Sequence, residues 1–258
     1  MAIYKEEAIV LSNEKLSEGV YSIVLKTKDI AKEAIAGQFV SVYCNDSSRI
    51  LPRPISLCEI DKNENTIRIV FRTVGKGTSE FAKYVPDTKV TVLGPLGNGY
   101  DLSKQYENVI VIGGGIGIPP MLQLARSISG NKQIVVGYRN KNNMFLYEEL
   151  QKEADVFVAT DDGSYQTNGT VIDAIKENDL KADAIMACGP MPMLKALKKY
   201  SEEKGIDCYI SLEERMACGI GACLGCVTKT KKKDHHSKVH NARICTEGPV
   251  FDAREVDI

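Results

Sequence analysis

Four cysteines near the end of the chain constrain its fold and chemistry more than any other feature. Cys218, Cys223 and Cys226 follow the pattern C-x4-C-x2-C, and Cys245 comes after eighteen intervening residues. This is the plant-type spacing of [2Fe–2S] ligands, in which one loop supplies three thiolates and a distant segment supplies the fourth. The loop is rich in glycine, which permits sharp turns and lets backbone N–H groups approach sulfur. The spacing therefore predicts a cluster-binding tail over residues 213–258.

A structural zinc site with four thiolate ligands is the alternative interpretation of the same cysteines. Zinc ribbons usually contain two C-x2-C pairs, whereas here the fourth cysteine stands alone. The remaining cysteines, Cys44, Cys58, Cys188 and Cys208, are scattered along the chain. In a reducing compartment a tight cysteine cluster indicates metal or redox chemistry before disulfides. The spacing favours the iron–sulfur cluster over zinc.

The charge balance and the lack of long apolar runs exclude several classes of partner. The 258 residues include 33 basic and 34 acidic side chains, and this balance argues against a dedicated nucleic-acid-binding protein. No apolar run approaches the ~20 residues that a membrane-spanning helix needs. The segment MAIYKEEAIVL lacks the pattern of a signal peptide. We therefore expect no nucleic acid or membrane partner and a cytoplasmic location.

The first part of the chain, residues 1–100, is predicted to form a small β-barrel or β-sandwich. Short runs of β-branched and aromatic residues alternate there with Gly, Pro, Asn and Asp. Within it, LPRPISLCEI places Arg53 between two prolines, which hold the backbone extended. The guanidinium would then be a fixed donor to a phosphate; an ordinary surface arginine is the alternative. VGKGTSEF supplies Gly77 and Thr78 at a second phosphate-binding turn, before a short helix with Thr78 or Ser79 as its N-cap.

From residue 101 to 212, predicted strands alternate with predicted helices, which indicates a parallel sheet with helical crossovers. The strand NVIVIGGG runs into a helix through Gly115, Gly117 and Pro120, in the order G-x-G-x-x-P. Such a turn presents backbone N–H groups to a pyrophosphate; a purely structural turn is the alternative. In ACGPMPML, Cys188 ends a later strand at the carboxyl edge, where open α/β sheets bind ligands.

Three histidines, His235, His236 and His240, lie between the third and fourth cysteines of the tail, within KTKKKDHHSKVHNAR. Rieske ligation would pair two histidines with two cysteines at short fixed spacing, and the sequence lacks that spacing. The charged run is typical of a solvated loop. A docking surface for an acidic partner is the alternative.

Three motifs occur in one order along the chain: R-P-x-S in the predicted barrel, then G-x-G-x-x-P, then C-G-P. Together they resemble the ferredoxin–NADP reductase superfamily over residues 1 to about 210. The segments SLEERMACGIGACLGCVTK and RICTEGPVF extend the resemblance over the whole chain, which is similar to the electron-transfer subunits of type B, NAD-dependent dihydroorotate dehydrogenases. The resemblance implies an FAD-binding β-barrel at 1–100, an α/β NAD-binding domain at 101–212 and a plant-type [2Fe–2S] cluster-binding domain at 213–258.

The resemblance also implies which residues bind each cofactor, matched position by position. The four cysteines of the tail match the cluster ligands, and no residue matches a catalytic acid or base. The nicotinamide side is matched by Gly115, Gly117, Cys188, Gly189 and Pro190. The flavin side is matched by Arg53, Pro54, Ile55, Ser56, Val70, Phe71, Arg72, Gly77 and Thr78.

The function implied by the resemblance is that of an oxidoreductase subunit in pyrimidine biosynthesis. Dihydroorotate would be oxidised at an FMN on a separate catalytic subunit, and electrons would pass through the [2Fe–2S] cluster and FAD of this chain to NAD+. The family implies a heterotetramer of two plus two chains. A related flavin and iron–sulfur subunit of a sulfide dehydrogenase, a hydrogenase or an NADH:ferredoxin-type complex is the alternative. A zinc-stabilised binding module without turnover is a further one.

The choice between NAD and NADP depends on four charged residues. Arg139 and Lys141 lie near the end of a predicted strand, where they could meet a 2′-phosphate. Asp161 and Asp162 would repel that phosphate and could bond the ribose hydroxyls. The sequence therefore favours NAD.

Overall fold

The computed structural model describes residues 2–233 and 238–258, so His235 and His236 of the predicted loop lie outside the described residues. Six antiparallel strands of the first part close into a barrel in the order β1-β2-β5-β4-β3-β6. Their bounds are β1 Tyr4–Ser17, β2 Val20–Lys26, β3 Phe39–Val42, β4 Arg53–Asp61, β5 Thr66–Arg72 and β6 Lys89–Leu96.

The two faces of β5 show how the sequence builds the barrel. Ile67, Ile69 and Phe71 point inward and belong to the buried barrel core, as the period of two along a strand requires. Arg68 and Val70 lie on the opposite face, and Val70 is buried in a different cluster shared with the second part of the chain. Around Arg68 and Val70, the outer face of β5 is therefore an interface and not a solvated surface.

Two short helices complete the barrel, α1 (Ile30–Glu33) and α2 (Lys76–Phe81). The predicted N-cap at Thr78 or Ser79 is wrong, because α2 begins earlier and Gly75 is its N-cap residue. Thr78 stands inside the first turn, where its Oγ1 accepts hydrogen bonds from the amides of Val74 (3.0 Å) and Gly75 (3.3 Å). The threonine thus orders the turn from within the helix instead of from its cap.

The second part of the chain is a seven-stranded sheet with helices on its faces. The strands of the sheet are β7 Asn108–Gly114, β8 Asn131–Tyr138, β9 Asp155–Thr160, β10 Thr167–Asn168, β11 Ala184–Cys188, β12 Asp207–Ser211 and β15 Val250–Asp252. A separate hairpin is formed by β13 Val227–Lys229 and β14 Asn241–Arg243. The sheet order is β10-β9-β8-β7-β11-β12-β15. The helices are α3 Pro119–Ser127, α4 Tyr147–Gln151, α5 Val171–Glu177 and α6 Met191–Lys204.

The strand order reverses direction between β7 and β11, and this point locates the ligand crevice. Six strands, β7 to β12, run parallel as predicted. In open parallel sheets the crevice opens at the carboxyl ends of the strands on either side of such a reversal. The predicted glycine-rich turn follows β7 and the C-G-P motif begins in β11, so the topology places both there.

The C-terminal tail returns to this sheet, which the sequence analysis does not anticipate. β15 pairs antiparallel with β12 and covers its outer edge. An unpaired strand edge exposes backbone donors and acceptors that favour pairing with another segment. Arg254 then ties the tail to Asp207 of β12, with a nitrogen–oxygen distance of 3.0 Å. In the described part of the chain, no helix is long and apolar enough to cross a membrane.

Candidate functional site

Arg53 and Gly77 face each other at one end of the barrel. Arg53 begins β4 and Gly77 is the second residue of α2. A Cβ atom on Gly77 would lie only 2.5 Å from Arg53 Cζ, so the guanidinium rests directly on the first turn of the helix. A glycine is needed there because any side chain would displace the arginine. The arrangement joins a fixed cation to backbone N–H groups, which is the chemistry that binds phosphate.

The glycine-rich turn after β7 packs on the C-G-P motif after β11. The turn contains a 3-10 segment over Gly115–Gly117 before α3 begins with two prolines. A Cβ on Gly117 would lie 2.5 Å from the carbonyl carbon of Cys188 and 2.6 Å from the amide nitrogen of Gly189. Two segments some seventy residues apart are therefore in contact at the carboxyl edge of the sheet.

Cys188 itself is not a reactive thiolate. Burial raises the pKa of its thiol to about 12, so the group is neutral at pH 7. Pro190 is the N-cap residue of α6 and lies against Gly114, where a Cβ would be 2.9 Å from the proline Cδ. The C-G-P motif thus shapes the edge of the crevice with its backbone, and its sulfur supplies no nucleophile.

Arg72 connects the barrel to the glycine-rich turn. It is exposed at the carboxyl end of β5, and one of its terminal nitrogens lies 4.0 Å from where a Cβ of Gly115 would stand. Gly115 has a φ of +53°, the left-handed region that favours glycine. The predicted flavin residue and the predicted nicotinamide residue are therefore neighbours across the two parts of the molecule.

The four cysteines of the tail lie together in two pairs. The thiol of Cys218 interacts with that of Cys223, and the thiol of Cys245 with that of Cys226. Within residues 2–233 and 238–258, no three His, Cys, Asp or Glu side chains converge to hold one metal ion. Each iron of a [2Fe–2S] cluster takes two protein ligands. The two pairs therefore fit the cluster.

Backbone amides of the loop point at these sulfurs. Cys245 Sγ accepts from Gly221 N at 3.2 Å, and Cys218 Sγ accepts from Cys223 N at 3.4 Å. Desolvation acts to raise the pKa of Cys218, but amides of the loop, first that of Ile220, outweigh it and lower the value to about 7. Thiolate is the ligand form of cysteine, so the loop amides favour that form at Cys218, whereas burial and the neighbouring Cys226 raise the pKa of Cys245 to about 12.

Two buried hydroxyl groups flank the same loop without a hydrogen-bond partner. Among the described residues, Ser41 Oγ of β3 and Thr246 Oγ1 are both unsatisfied. Ser41 Oγ lies 3.1 Å from where a Cβ of Gly219 would stand, and Thr246 Oγ1 lies 3.3 Å from the corresponding point at Gly221. Orphaned buried donors beside a sulfur-lined loop fit a bound group that accepts hydrogen bonds. The sequence carried no signal for either residue, because both come close to the loop only through the fold.

The loops that follow β8 and β9 meet at the other side of the crevice. Lys141 N donates to Ser164 Oγ at 2.8 Å, and the Lys141 ammonium lies over the ring of Tyr165, 5.6 Å from its centroid. Asp161 and Asp162 are exposed beside them, and hydrogen bonds from Ser164 hold the pKa of Asp162 below its usual range. The Lys141 ammonium thus lies on the Tyr165 ring, and Tyr165 shares its loop with Asp161 and Asp162.

Similarity to known proteins identifies the family. The chain is 41% identical to the "Dihydroorotate dehydrogenase B (NAD(+)), electron transfer subunit" of Fusobacterium nucleatum, with 98% of each chain covered. It is 40% identical to the protein of the same name from Bacillus pumilus, with 96% of each chain covered. The chain belongs to this family of electron transfer subunits. The predicted resemblance is therefore confirmed.

Family models match two segments of the chain. Residues 213–257 match the "Iron-sulfur cluster binding domain of dihydroorotate dehydrogenase B", and residues 111–199 match the "Oxidoreductase NAD-binding domain". The segments correspond to the cysteine tail and to the parallel sheet. Membership of the family confirms the predicted oxidoreductase class.

Two solved structures have the same architecture. One, described as the NADH-dependent reduced ferredoxin-NADP oxidoreductase in flavin-based electron bifurcation, is 28% identical, with a TM-score of 0.87 and coverage of 98% of this chain and 90% of that one. Phthalate dioxygenase reductase, described as transferring electrons from pyridine nucleotides to [2Fe-2S], shares the fold at 18% identity, with a TM-score of 0.64 and coverage of 93% and 94%. The predicted fold class and the set of FAD, [2Fe–2S] and NAD are confirmed. The residue-level assignments remain predictions.

Proposed function

We propose that this chain is the electron-transfer subunit of an NAD-dependent dihydroorotate dehydrogenase in pyrimidine biosynthesis. The observation that carries the proposal is a pair of contacts that bring residues of the three predicted sites together on one barrel. Arg72 of the barrel lies beside Gly115 of the sheet, and Ser41 of the barrel lies beside Gly219 of the cysteine loop. A flavin held on the barrel would then have a nicotinamide site on one side and a cluster site on another.

Each site would be held by residues of this chain. Arg53 and the turn at Gly77 and Thr78 would bind flavin phosphate, and the preceding R-P-x-S strand and the end of β5 would line the flavin. The turn at Gly115–Gly117, with the C-G-P motif, would bind the nicotinamide nucleotide. When bound, the flavin exchanges a hydride pair with nicotinamide and single electrons with the iron–sulfur cluster. We further propose domain limits of 1–100, 101–212 and 213–258.

We also propose that the partner is an FMN-containing catalytic subunit, in a heterotetramer of two plus two chains. Support comes from the cysteine loop, where Ile220 and Leu224 are 50% and 61% exposed beside the exposed Cys223. Exposed apolar side chains beside a redox centre fit a surface that another redox protein covers. The free cysteines fit a reducing, cytoplasmic setting.

A second candidate is a related flavin and iron–sulfur subunit of an NADH:ferredoxin-type complex. One observation favours it: the 28% identity and TM-score of 0.87 shared with the NADH-dependent ferredoxin-NADP oxidoreductase. Such a protein would keep the same cofactor sites and differ in the chain that docks on the cysteine loop. The two candidates are therefore distinguished by the partner and by the substrate.

The test is purification of the native complex under anaerobic conditions, with FMN, FAD, iron and sulfide counted per chain. We expect one FAD and two irons per copy of this chain, FMN on a second subunit, and oxidation of dihydroorotate that depends on NAD+. FAD and iron without an FMN partner would leave an electron-transfer protein and remove its role with dihydroorotate. Zinc in place of iron would contradict the proposal altogether.

A further inference from the structure

The barrel and the seven-stranded sheet share two buried apolar clusters, and one of them forms a seam along β4 and β5. Cys58 of β4 and Val70 of β5 are buried in the same cluster as Met121 and Leu122 of α3 and Leu150 of α4. Hydrophobic contact of this kind is strong but not directional. It holds the two parts together without fixing the angle at which they meet.

A chain of ion pairs runs along the same seam. Arg68 of β5 contacts Glu149 of α4 through two guanidinium nitrogens, at 2.5 and 3.1 Å. Glu59 of β4 lies 3.5 Å from Arg68 and 2.5 Å from Arg126 of α3. Arg126 continues to Glu153 at 2.9 Å. Positive and negative side chains alternate along this ion-pair chain. It crosses between the barrel and the sheet at two points, Arg68 to Glu149 and Glu59 to Arg126.

Arg68 of this ion-pair chain is held more firmly than a surface residue. The Arg68 side chain is only 13% exposed, and its Nε also donates to Ser22 Oγ at 2.8 Å. Partly buried charges are less screened by salt, and a two-pronged contact between guanidinium and carboxylate fixes geometry as well as adding attraction. The ion-pair chain therefore adds directional contacts to the apolar seam.

The position of Arg68 on β5 connects the ion-pair chain with the functional site. Arg68 and Arg72 lie on the same face of β5, four residues and therefore ~13 Å apart. Arg72 lies beside the glycine-rich turn at Gly115. Rotation of the sheet about the seam would move that turn relative to the flavin residues of the barrel. Reaction between two bound groups is sensitive to such movement, since a misplacement of about 1 Å can lower a rate 100-fold.

We propose that Arg68, Glu149, Glu59, Arg126 and Glu153 are positioning residues that set the angle between the barrel and the sheet. They keep a nicotinamide nucleotide bound at the glycine-rich turn at the distance and orientation from which it can react with a flavin on the barrel. The inference rests on the proposed function for its consequence in catalysis. The geometric part, that the ion-pair chain keeps the seam closed, stands on the contacts alone.

The test uses the full chain with FAD bound and the variant Glu149→Gln, which removes a charge and keeps the shape. Flavin reduction by saturating NADH is followed anaerobically by stopped flow, with 4-deuterated NADH to identify the hydride step. We expect a rate about ten-fold lower with unchanged FAD content. The conservative variant Glu149→Asp, which keeps the charge opposite Arg68, should retain much of the wild-type rate. The matched control is Arg254→Gln, which loses its contacts to Asp252 and Asp207 within the sheet.

A second readout does not depend on turnover. Ile60 N donates to Gln123 Oε1 across the seam at 2.7 Å, so the hydrogen exchange of this amide reports whether the seam is closed. We expect faster exchange at Ile60 in Glu149→Gln and wild-type exchange in the barrel core.

Several outcomes would overturn the inference. Wild-type flavin reduction in Glu149→Gln would do so, even if the variant were less stable, because the ion pairs would then only add stability. Unchanged exchange at Ile60 would do so as well. If Glu149→Gln fails to fold, Glu59→Gln removes the other pair that crosses the seam, with Arg126, and is judged by the same readouts. Failure of NADH to reduce the flavin of the wild-type chain would instead contradict the proposed function, and exchange at Ile60 would still test the ion-pair chain.

Discussion

Gly117 packs directly against the peptide that joins Cys188 to Gly189, with room for a hydrogen atom but not for a methyl group. This one contact brings together two motifs that the sequence separates widely. It closes the turn after β7 onto the end of β11, at the point where the order of the sheet reverses. The crevice for the nicotinamide nucleotide is built on this contact.

The first prediction concerns that contact. Gly117→Ala places a Cβ 2.5 Å from the Cys188 carbonyl carbon, so the turn must shift. We expect the KM for NADH to rise at least ten-fold, with iron and FAD content unchanged. Gly205→Ala is the matched control, since nothing lies within 4 Å of its Cβ; its positive φ costs about 1–2 kcal/mol, and the residue lies far from the turn. A normal KM in Gly117→Ala would show that the turn does not bind the nucleotide.

The second prediction concerns the cysteine loop. Cys245→Ser removes the thiol that pairs with Cys226. The iron and sulfide content should fall below half of the wild-type value, and the brown colour should be lost. Cys208→Ala, a buried thiol of β12 outside the loop, should retain the full content. Metal analysis that finds one zinc per wild-type chain, lost in Cys245→Ser, would support the zinc alternative.

The third prediction tests flavin binding by two different changes. Arg53→Met removes the guanidinium, and Gly77→Ala displaces it, because the new Cβ would collide with it. A hydrogen bond to a charged group contributes about 1.5–3 kcal/mol, so both variants should bind FAD roughly 10- to 100-fold more weakly. Titration of the apoprotein with FAD measures this. Arg254→Met, an exposed arginine of the tail, should bind FAD normally, and tight binding by Arg53→Met would contradict the assignment.

The fourth prediction concerns the docking surface for the partner. Leu224→Asp introduces a charge on the exposed apolar rim of the cysteine loop and should weaken assembly with the catalytic subunit at least ten-fold, without loss of iron. Analytical ultracentrifugation of the mixed subunits measures the dissociation constant. Val85→Asp changes a residue of similar exposure, 63%, on the barrel and serves as the control. Equal weakening by both variants would mean that the effect of Leu224→Asp is not specific to the loop.

The sequence predicts what is local in this molecule and misses what is assembled at a distance. The strand NVIVIGGG and its turn could be predicted because periodicity and glycine spacing are properties of one segment. The return of Val250–Asp252 to β12 and the approach of Ser41 to the cysteine loop could not be predicted in this way. Each depends on pairing between residues far apart in the chain. The prediction of an N-cap at Thr78 was wrong for a local reason. A threonine hydroxyl inside the first turn can accept hydrogen bonds from the amides that precede the helix, as a capping residue does.

The last prediction concerns the preference for NAD over NADP. Asp161 is exposed in the loop after β9, and its backbone N–H is bonded to Tyr138 O at the end of β8, so its carboxylate lies where these two strands end. Repulsion between a carboxylate and a phosphate at about 4 Å amounts to ~1 kcal/mol or more in solvent. Asp161→Asn should therefore raise the ratio of kcat/KM for NADPH to that for NADH by about five- to ten-fold, chiefly through KM. Asp155→Asn, at the opposite end of β9, removes the same charge far from that edge and should leave the ratio unchanged. If both variants shift the ratio equally, net charge and not the loop after β9 sets the preference.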